Sequence, residues 1–254
     1  MNRIPFRTVP LSHGYRWIRT AFDMYRHHPL MWIGYSVTIV LIGAAMSLVP
    51  FAGTLVFQLI APVFNGGLML ACKAQQRGET LAFKHLFSAF NSHGSRLVTI
   101  GGIYMTGMLI AFTLPALFSN DPLIHALLYS TQTTTPPPLD ALHPSFAAAL
   151  VLLFSLTLFT LMLMAYWFAP ALVVLADFQA LEAMKLSLSA CTANFAPFLL
   201  YGILMVVLLV VGSLPMLLGF LVVIPVGFIS YFTAWEDLFD YSQSASSDLE
   251  SVSL

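Results

Sequence analysis

Four long stretches of the chain contain no aspartate, glutamate, lysine or arginine: residues 27–72, 97–120, 141–176 and 186–235. A helix that crosses a bilayer needs about 20 mainly apolar residues. The first and last stretches each hold two such helices and the middle two hold one each, so the charge map predicts six spans. We place them at 30–49, 51–72, 97–118, 146–173, 195–213 and 214–235. Helices follow because hydrocarbon offers no partner to an unpaired peptide group, and the alternating pattern of a membrane barrel is absent. Composition agrees: 59% of the 254 residues are hydrophobic and 8% are charged. Mean hydropathy is +0.86, and a soluble domain carries about 25% charged residues. The expected fold class is an all-α integral membrane protein.

The ten lysines and arginines sort to one side of this arrangement. Arg3, Arg7, Arg16, Arg19 and Arg26 precede the first span. Lys73, Arg77, Lys84 and Arg96 lie between spans two and three, and Lys185 between spans four and five. The sizeable loop on the other side, 119–145, has only Asp121 and Asp140 as charges. Basic loops stay cytoplasmic, so both termini are expected there. A single six-span domain, 1–240, then ends in an acidic, serine-rich, disordered cytoplasmic tail, 241–254. The basic start is long and leads into Val49-Pro50-Phe51 rather than a small-residue cleavage site, so the first span is expected to be retained. Cys72 and Cys191 both fall on the cytoplasmic side, where a structural disulfide is not expected.

An internal repeat organises the chain. Tyr15, Ile18, Phe22 and Tyr25 make an apolar stripe at helical spacing before span one, with Arg16, Arg19, Asp23 and Arg26 around it. Phe83, Leu86, Phe87 and Phe90 do the same before span three. Phe178, Leu181, Met184 and Leu188 follow before span five, where Glu182 and Lys185 are spaced to pair. The expected unit is a cytoplasmic interfacial helix (near 11–28, 80–92 and 177–191) followed by a hairpin of two spans, repeated three times. Prolines keep step at 50, 115 and 215 between paired spans, and at 62, 170 and 225 in second spans. Pro62 and Pro225 are expected to bend their helices.

His27-His28 is the most chemical-looking pair. Aligning Pro29 with Pro197 sets it beside Phe195-Ala196, and the matching knuckle before span three reads Asn91-Ser92-His93-Gly94. A position with such varied occupants is a turn into the bilayer, and adjacent histidines at a helix end point apart. A metal would need a further ligand such as His85, His93 or Cys191, and no metal or cofactor is expected. HExxH, GxSxG and Walker A motifs are absent, as are paired intramembrane aspartates. No span carries a charge, which argues against ion coupling, proton relay and voltage sensing. Gln58 and Asn65 in span two are the candidate cavity residues. Ser155, Thr157, Thr160 and Ser230 read as interhelical hydrogen-bonding groups, Gly43 and Ser47 as a close-packing pair. Trp17, Trp32, Trp167 and Trp235 read as interfacial anchors.

The segments GYRWIRTAFDMYRHHPLMWIG, FAPALVVLADFQALEAMKLSLSACTANFAPFLLYGIL and YFTAWEDLF resemble an uncharacterised family of proteobacterial six-span inner-membrane proteins. The loop TQTTTPPPLDALHP has no counterpart in that resemblance, and the resemblance implies an inner-membrane location without an activity. The expected function is a non-enzymatic membrane-structural or lipid-interacting component, with Arg16, Arg19 and Arg26 meeting anionic lipid. The alternative is a permease or exporter for a small uncharged or amphipathic compound, and a lipid-modifying enzyme ranks third. Expected partners are membrane lipids and unidentified proteins, not nucleic acid.

Overall fold

The computed structural model describes residues 6–50, 52–118, 121, 124, 145–214 and 218–239. Its helices are α1 (His13–His27), α2 (Pro29–Ser47), α3 (Ala52–Gln76), α4 (Lys84–Thr113) with a 3-10 turn at Leu114–Phe118, α5 (Phe146–Trp167), α6 (Ala169–Ala176), α7 (Ala180–Ala193), α8 (Phe195–Ser213) and α9 (Phe220–Phe239). No strand occurs among the described residues. Six helical segments are long and apolar enough to cross a membrane, so the chain is an all-α integral membrane protein. Most of the loop 119–145, the tail 241–254, Arg3 and Pro215 lie outside the described residues.

Contacts divide the chain into two units, Met1–Gly101 with Ala165–Leu254, and Gly102–Met164. In the first, half of the most apolar stretch of α3 and of α9 is buried, against 17% in α2 and in α8. Helices α3 and α9 are therefore the central pair, and α2 and α8 spend most of their surface on lipid. The largest buried side chains gather at the end that carries the charges: Trp17, Trp32, Tyr35, Phe168, Phe232 and Phe239. Their rings interlock, with Trp17 5.0 Å from Phe198, Phe168 5.6 Å from Phe198 and 5.4 Å from Phe239. Each such pair contributes about 0.5–1.5 kcal/mol beyond simple burial.

Lipid tails are as apolar as leucine, so spans associate where small residues let backbones approach. A Cβ on Gly67 of α3 would stand 2.2 Å from the Leu86 carbonyl oxygen of α4, and one on Gly101 2.3 Å from the Leu59 oxygen. The expected pair Gly43 and Ser47 does not do this. Gly43 faces the flexible ring of Phe57, and Ser47 is exposed with its hydroxyl turned to Ala44 of its own helix. In the second unit, Gly107 packs on Met162 and Phe112 meets Phe159 edge-on at 5.9 Å. Asp121 accepts from the Ser145 amide at 2.8 Å, and the Ser145 hydroxyl in turn caps α5 through the Ala148 amide.

Two stretches of the chain share an order of elements. Helices α1–α2–α3 and α7–α8–α9 each run short, long, long. Their first junctions match: His28 (φ −139°, ψ 56°) and Asn194 (φ −114°, ψ 34°) each close one helix and open the next. Trp32 and Phe198 donate their amides back to these two carbonyls. His28 therefore corresponds to Asn194, two residues from the alignment on prolines. The middle copy departs from expectation, because 80–92 is no separate interfacial helix; its apolar stripe is the start of the 30-residue α4. No proline stands at that junction, and a lone Gly94 costs a helix only about 1 kcal/mol. Pro170 lies within the candidate span Phe146–Ala176, in the first turn of α6, after a break at Phe168, whose amide donates to the Ser187 hydroxyl at 2.9 Å. Pro62 and Pro225 lie inside continuous helices.

Candidate functional site

Helix α1 is docked by residues at three- and four-residue spacing: Gly14, Trp17, Ile18, Ala21 and Tyr25 are buried against α8 and α9. The absence of a side chain at Gly14 is needed, since a Cβ there would meet the Pro197 carbonyl oxygen at 2.4 Å. The stripe read from sequence is offset from this face. Ile18 and Tyr25 are buried, but Tyr15 and Phe22 are 56% and 43% exposed. The interfacial-anchor reading of the tryptophans fails for the same reason. Trp17, Trp32 and Trp235 are core residues, Trp17 bonding Asp237 and Trp32 bonding Gln75. The third stripe shifts too: α7 buries Ala183, Met184, Ser187 and Ala190, while Leu181 is exposed.

A polar knot holds α1 in place. Asp237, in the last turn of α9, accepts from His13 Nδ1 and Trp17 Nε1, both at 2.7 Å on Oδ2, and its other oxygen pairs with Arg7. Arg7 Nε also donates to the Asp237 carbonyl at 2.6 Å, and the Arg7 amide to the Leu238 carbonyl at 3.0 Å. Asn194 accepts the Val9 amide and donates to the Arg7 carbonyl, and the Thr233 hydroxyl donates to the Trp17 carbonyl. Gln75 Nε2 donates to the Met24 carbonyl and Gln76 to Glu236, so α3 joins the same end. Nearby, Arg96 bonds Asp177 at 2.5 Å, and that hydrogen bond and charge hold the Asp177 carboxyl below its usual range. Burial pushes the Cys191 thiol up to about 12, leaving it protonated and inert at neutral pH.

With its inner face occupied, α1 presents Tyr15, Arg19, Phe22 and Arg26 on an adjoining one. Tyr15, Ile18 and Phe22 form, with Leu208 of α8 and Val222 and Val226 of α9, a groove of about 270 Å³. Arg19 is the single charge on its wall. Arg26 pairs with Asp23 at 2.7 Å and lies over the Phe22 ring at 5.5 Å, and Arg16 is exposed outside the groove. The three arginines expected at lipid thus have different settings. His27 and His28 are exposed at the turn itself, His27 Nδ1 2.7 Å from the Asp23 carbonyl oxygen.

A second space, about 260 Å³, opens between α3, the end of α5, α8 and α9. Asn65 lines it and donates to the Tyr166 hydroxyl at 2.8 Å. Gln58 does not join it; that residue is exposed earlier on α3. Tyr201 and Ser230 share a 2.8 Å hydrogen bond at its edge. Trp167 Nε1 and Tyr231 OH, both from lining residues, are covered and meet no hydrogen-bond partner. Thr157 and Thr160 bond carbonyls of their own helix and Ser155 meets no hydrogen-bond partner among the described residues, whereas Ser230 bonds Tyr201 of another helix. Sequence reading missed Asp237, Asn194 and Gln75, which lie just beyond span ends where a polar residue is unremarkable. The signal available was that Glu236-Asp237 follows an apolar span directly.

The chain is similar to a "Probable inner membrane protein" of Burkholderia thailandensis, 29% identical over 201 residues that cover 77% of this chain and 73% of the relative. No protein-family model matches the chain, and no solved structure matches it.

Proposed function

We propose that the protein is a non-enzymatic, lipid-interacting component of a bacterial inner membrane, with both termini cytoplasmic, that seats anionic lipid beside α1. The observation that carries this reading is the groove: apolar walls suited to an acyl chain, with Arg19 at hand for a phosphate. A guanidinium can grip phosphate by two parallel hydrogen bonds, and a cation close to an anionic surface contributes about 1 kcal/mol. Arg26 is partly neutralised by Asp23 and adds less. The relative's description supports the location. The gathering of basic residues, with Arg7 and the α1 arginines near the ends of α3 and α9, supports the orientation.

The test uses the full chain, reconstituted with equal phosphatidylglycerol and phosphatidylcholine, and measures the lipid that co-purifies. Wild type is expected to retain the anionic lipid preferentially. Arg19→Gln should reduce the preference about fivefold, the equivalent of one surface cation, and Arg16→Gln should reduce it less. At 1 M salt, where the Debye length is about 3 Å, the preference should fall. Equal retention of both lipids by wild type would sink the reading. The permease alternative is favoured by one observation, the space beside Asn65 that converging spans enclose.

A further inference from the structure

We infer that the cavity at Asn65 is a binding site for a neutral single-chain amphipath, an uncharged molecule with a hydrogen-bonding oxygen head and an aliphatic tail. The site lies beyond the lipid groove at α1 and does not depend on it. No charged residue lines the space, and an unpaired charge at membrane depth is expensive, so the guest is uncharged.

Its head is specified by three polar groups from three different spans. Asn65 is half-buried and gives one amide hydrogen to Tyr166, yet a carboxamide has two donor hydrogens and an acceptor oxygen. Trp167 Nε1 and Tyr231 OH have no hydrogen-bond partner among the described residues, and their rings are in tilted contact, 5.8 Å between centroids. Hydrocarbon leaves such donors unsatisfied. A carbonyl or hydroxyl oxygen that parts the two rings supplies the acceptor they lack, with Asn65 alongside to bond the same head.

The tail follows from the stripes on the walls. Along α8 the lining runs Tyr201, Met205, Leu209, and along α9 it runs Tyr231, Gly227, Val223. Both change from aromatic to aliphatic over eight residues, about 12 Å of helix. Gly227 withdraws the wall midway, where Met205 faces it, and methionine adapts to varied apolar shapes. The volume, about 260 Å³, falls just below the usual range of ligand pockets, roughly 300–1,000 Å³. It admits one chain and not two.

The experiment employs full-length protein in nanodiscs and a long-chain alcohol bearing a photoreactive diazirine in its tail. Labelling is expected on α8 and α9, and unmodified alcohol should compete while the same chain ending in ammonium or sulfate should not. Tyr231→Phe should lower labelling about fivefold, the effect of one hydrogen bond. Because that change removes a buried orphaned hydroxyl, it should leave thermal stability equal or higher, which separates binding from folding. Asn65→Leu should weaken labelling likewise, and if that variant fails to fold, Tyr231→Phe decides alone. Arg19→Gln should label as wild type does, so failure here and failure of the groove reading are distinguishable. Labelling spread evenly over the spans, equal competition by charged chains, or undiminished labelling of Tyr231→Phe would overturn the assignment.

Discussion

A single carboxylate, Asp237, organises the charged end. It sits in the last turn of α9, where the helix dipole disfavours an anion, and is tolerated because Arg7, His13 and Trp17 all reach it. Its side chain is only 11% exposed, so these bonds are made largely out of water. Asp237→Ala leaves the buried Trp17 indole without this acceptor and removes the carboxylate from Arg7, whose bonds to the backbone carbonyls of residues 237 and 238 remain. The expected cost is about 1–3 kcal/mol, read as a lower melting temperature in detergent and faster tryptic cleavage at Arg7. An unchanged melt and unchanged cleavage would mean that aromatic packing alone secures α1. Asp237→Asn should fall between, since it keeps an acceptor oxygen for Trp17.

At the scale of elements, the closest approach between spans is set by glycine. Gly67→Val places branched carbon against the Leu86 backbone, which cannot turn aside as a side chain can. Overpacking of this kind costs about 1–3 kcal/mol. The measurable result is reduced thermal stability, while Gly202→Val, at a position with open space around the Cα, should melt as wild type. The sequence made the spans legible because charge is excluded from hydrocarbon so strictly that four uncharged stretches, two of them double length, mark six helices. It made their faces much less legible. In water an apolar stripe marks a buried face, but in lipid Phe22 and Trp17 are equally at home outside and inside. So the stripe of α1 reads a fraction of a turn off, Gly43 and Ser47 stand out in the sequence while Gly67 makes the close approach, and the tryptophans suggest an interface although Trp17, Trp32 and Trp235 are buried. Junctions were legible only where proline marks them, as at Pro29. The unmarked one dissolved into α4.

For the whole molecule, the decisive measurement is sidedness. In a background with Cys72 and Cys191 replaced by alanine, cysteine at Gln132 should react with an impermeant thiol reagent applied to intact cells, and cysteine at exposed Thr80 should react only after lysis. Labelling of both positions from outside would overturn the arrangement with both ends in. The candidate lipid groove was half legible, since the arginines stand out in the sequence but the walls beside Arg19 come from Leu208, Val222 and Val226, about 200 positions away. That distance also imposes an order in time. Trp17, Ala21 and Tyr25 are buried against α8 and α9, and the carboxylate that Trp17 bonds is residue 237. Chains are made at about 5–20 residues per second, so α1 waits roughly 10–40 s for the helix that receives it. During that interval its aromatic side has only the membrane surface, or another protein, to rest on. A ribosome stalled before α9 therefore leaves that side with α8 alone to cover it, and the Trp17 indole without its carboxylate.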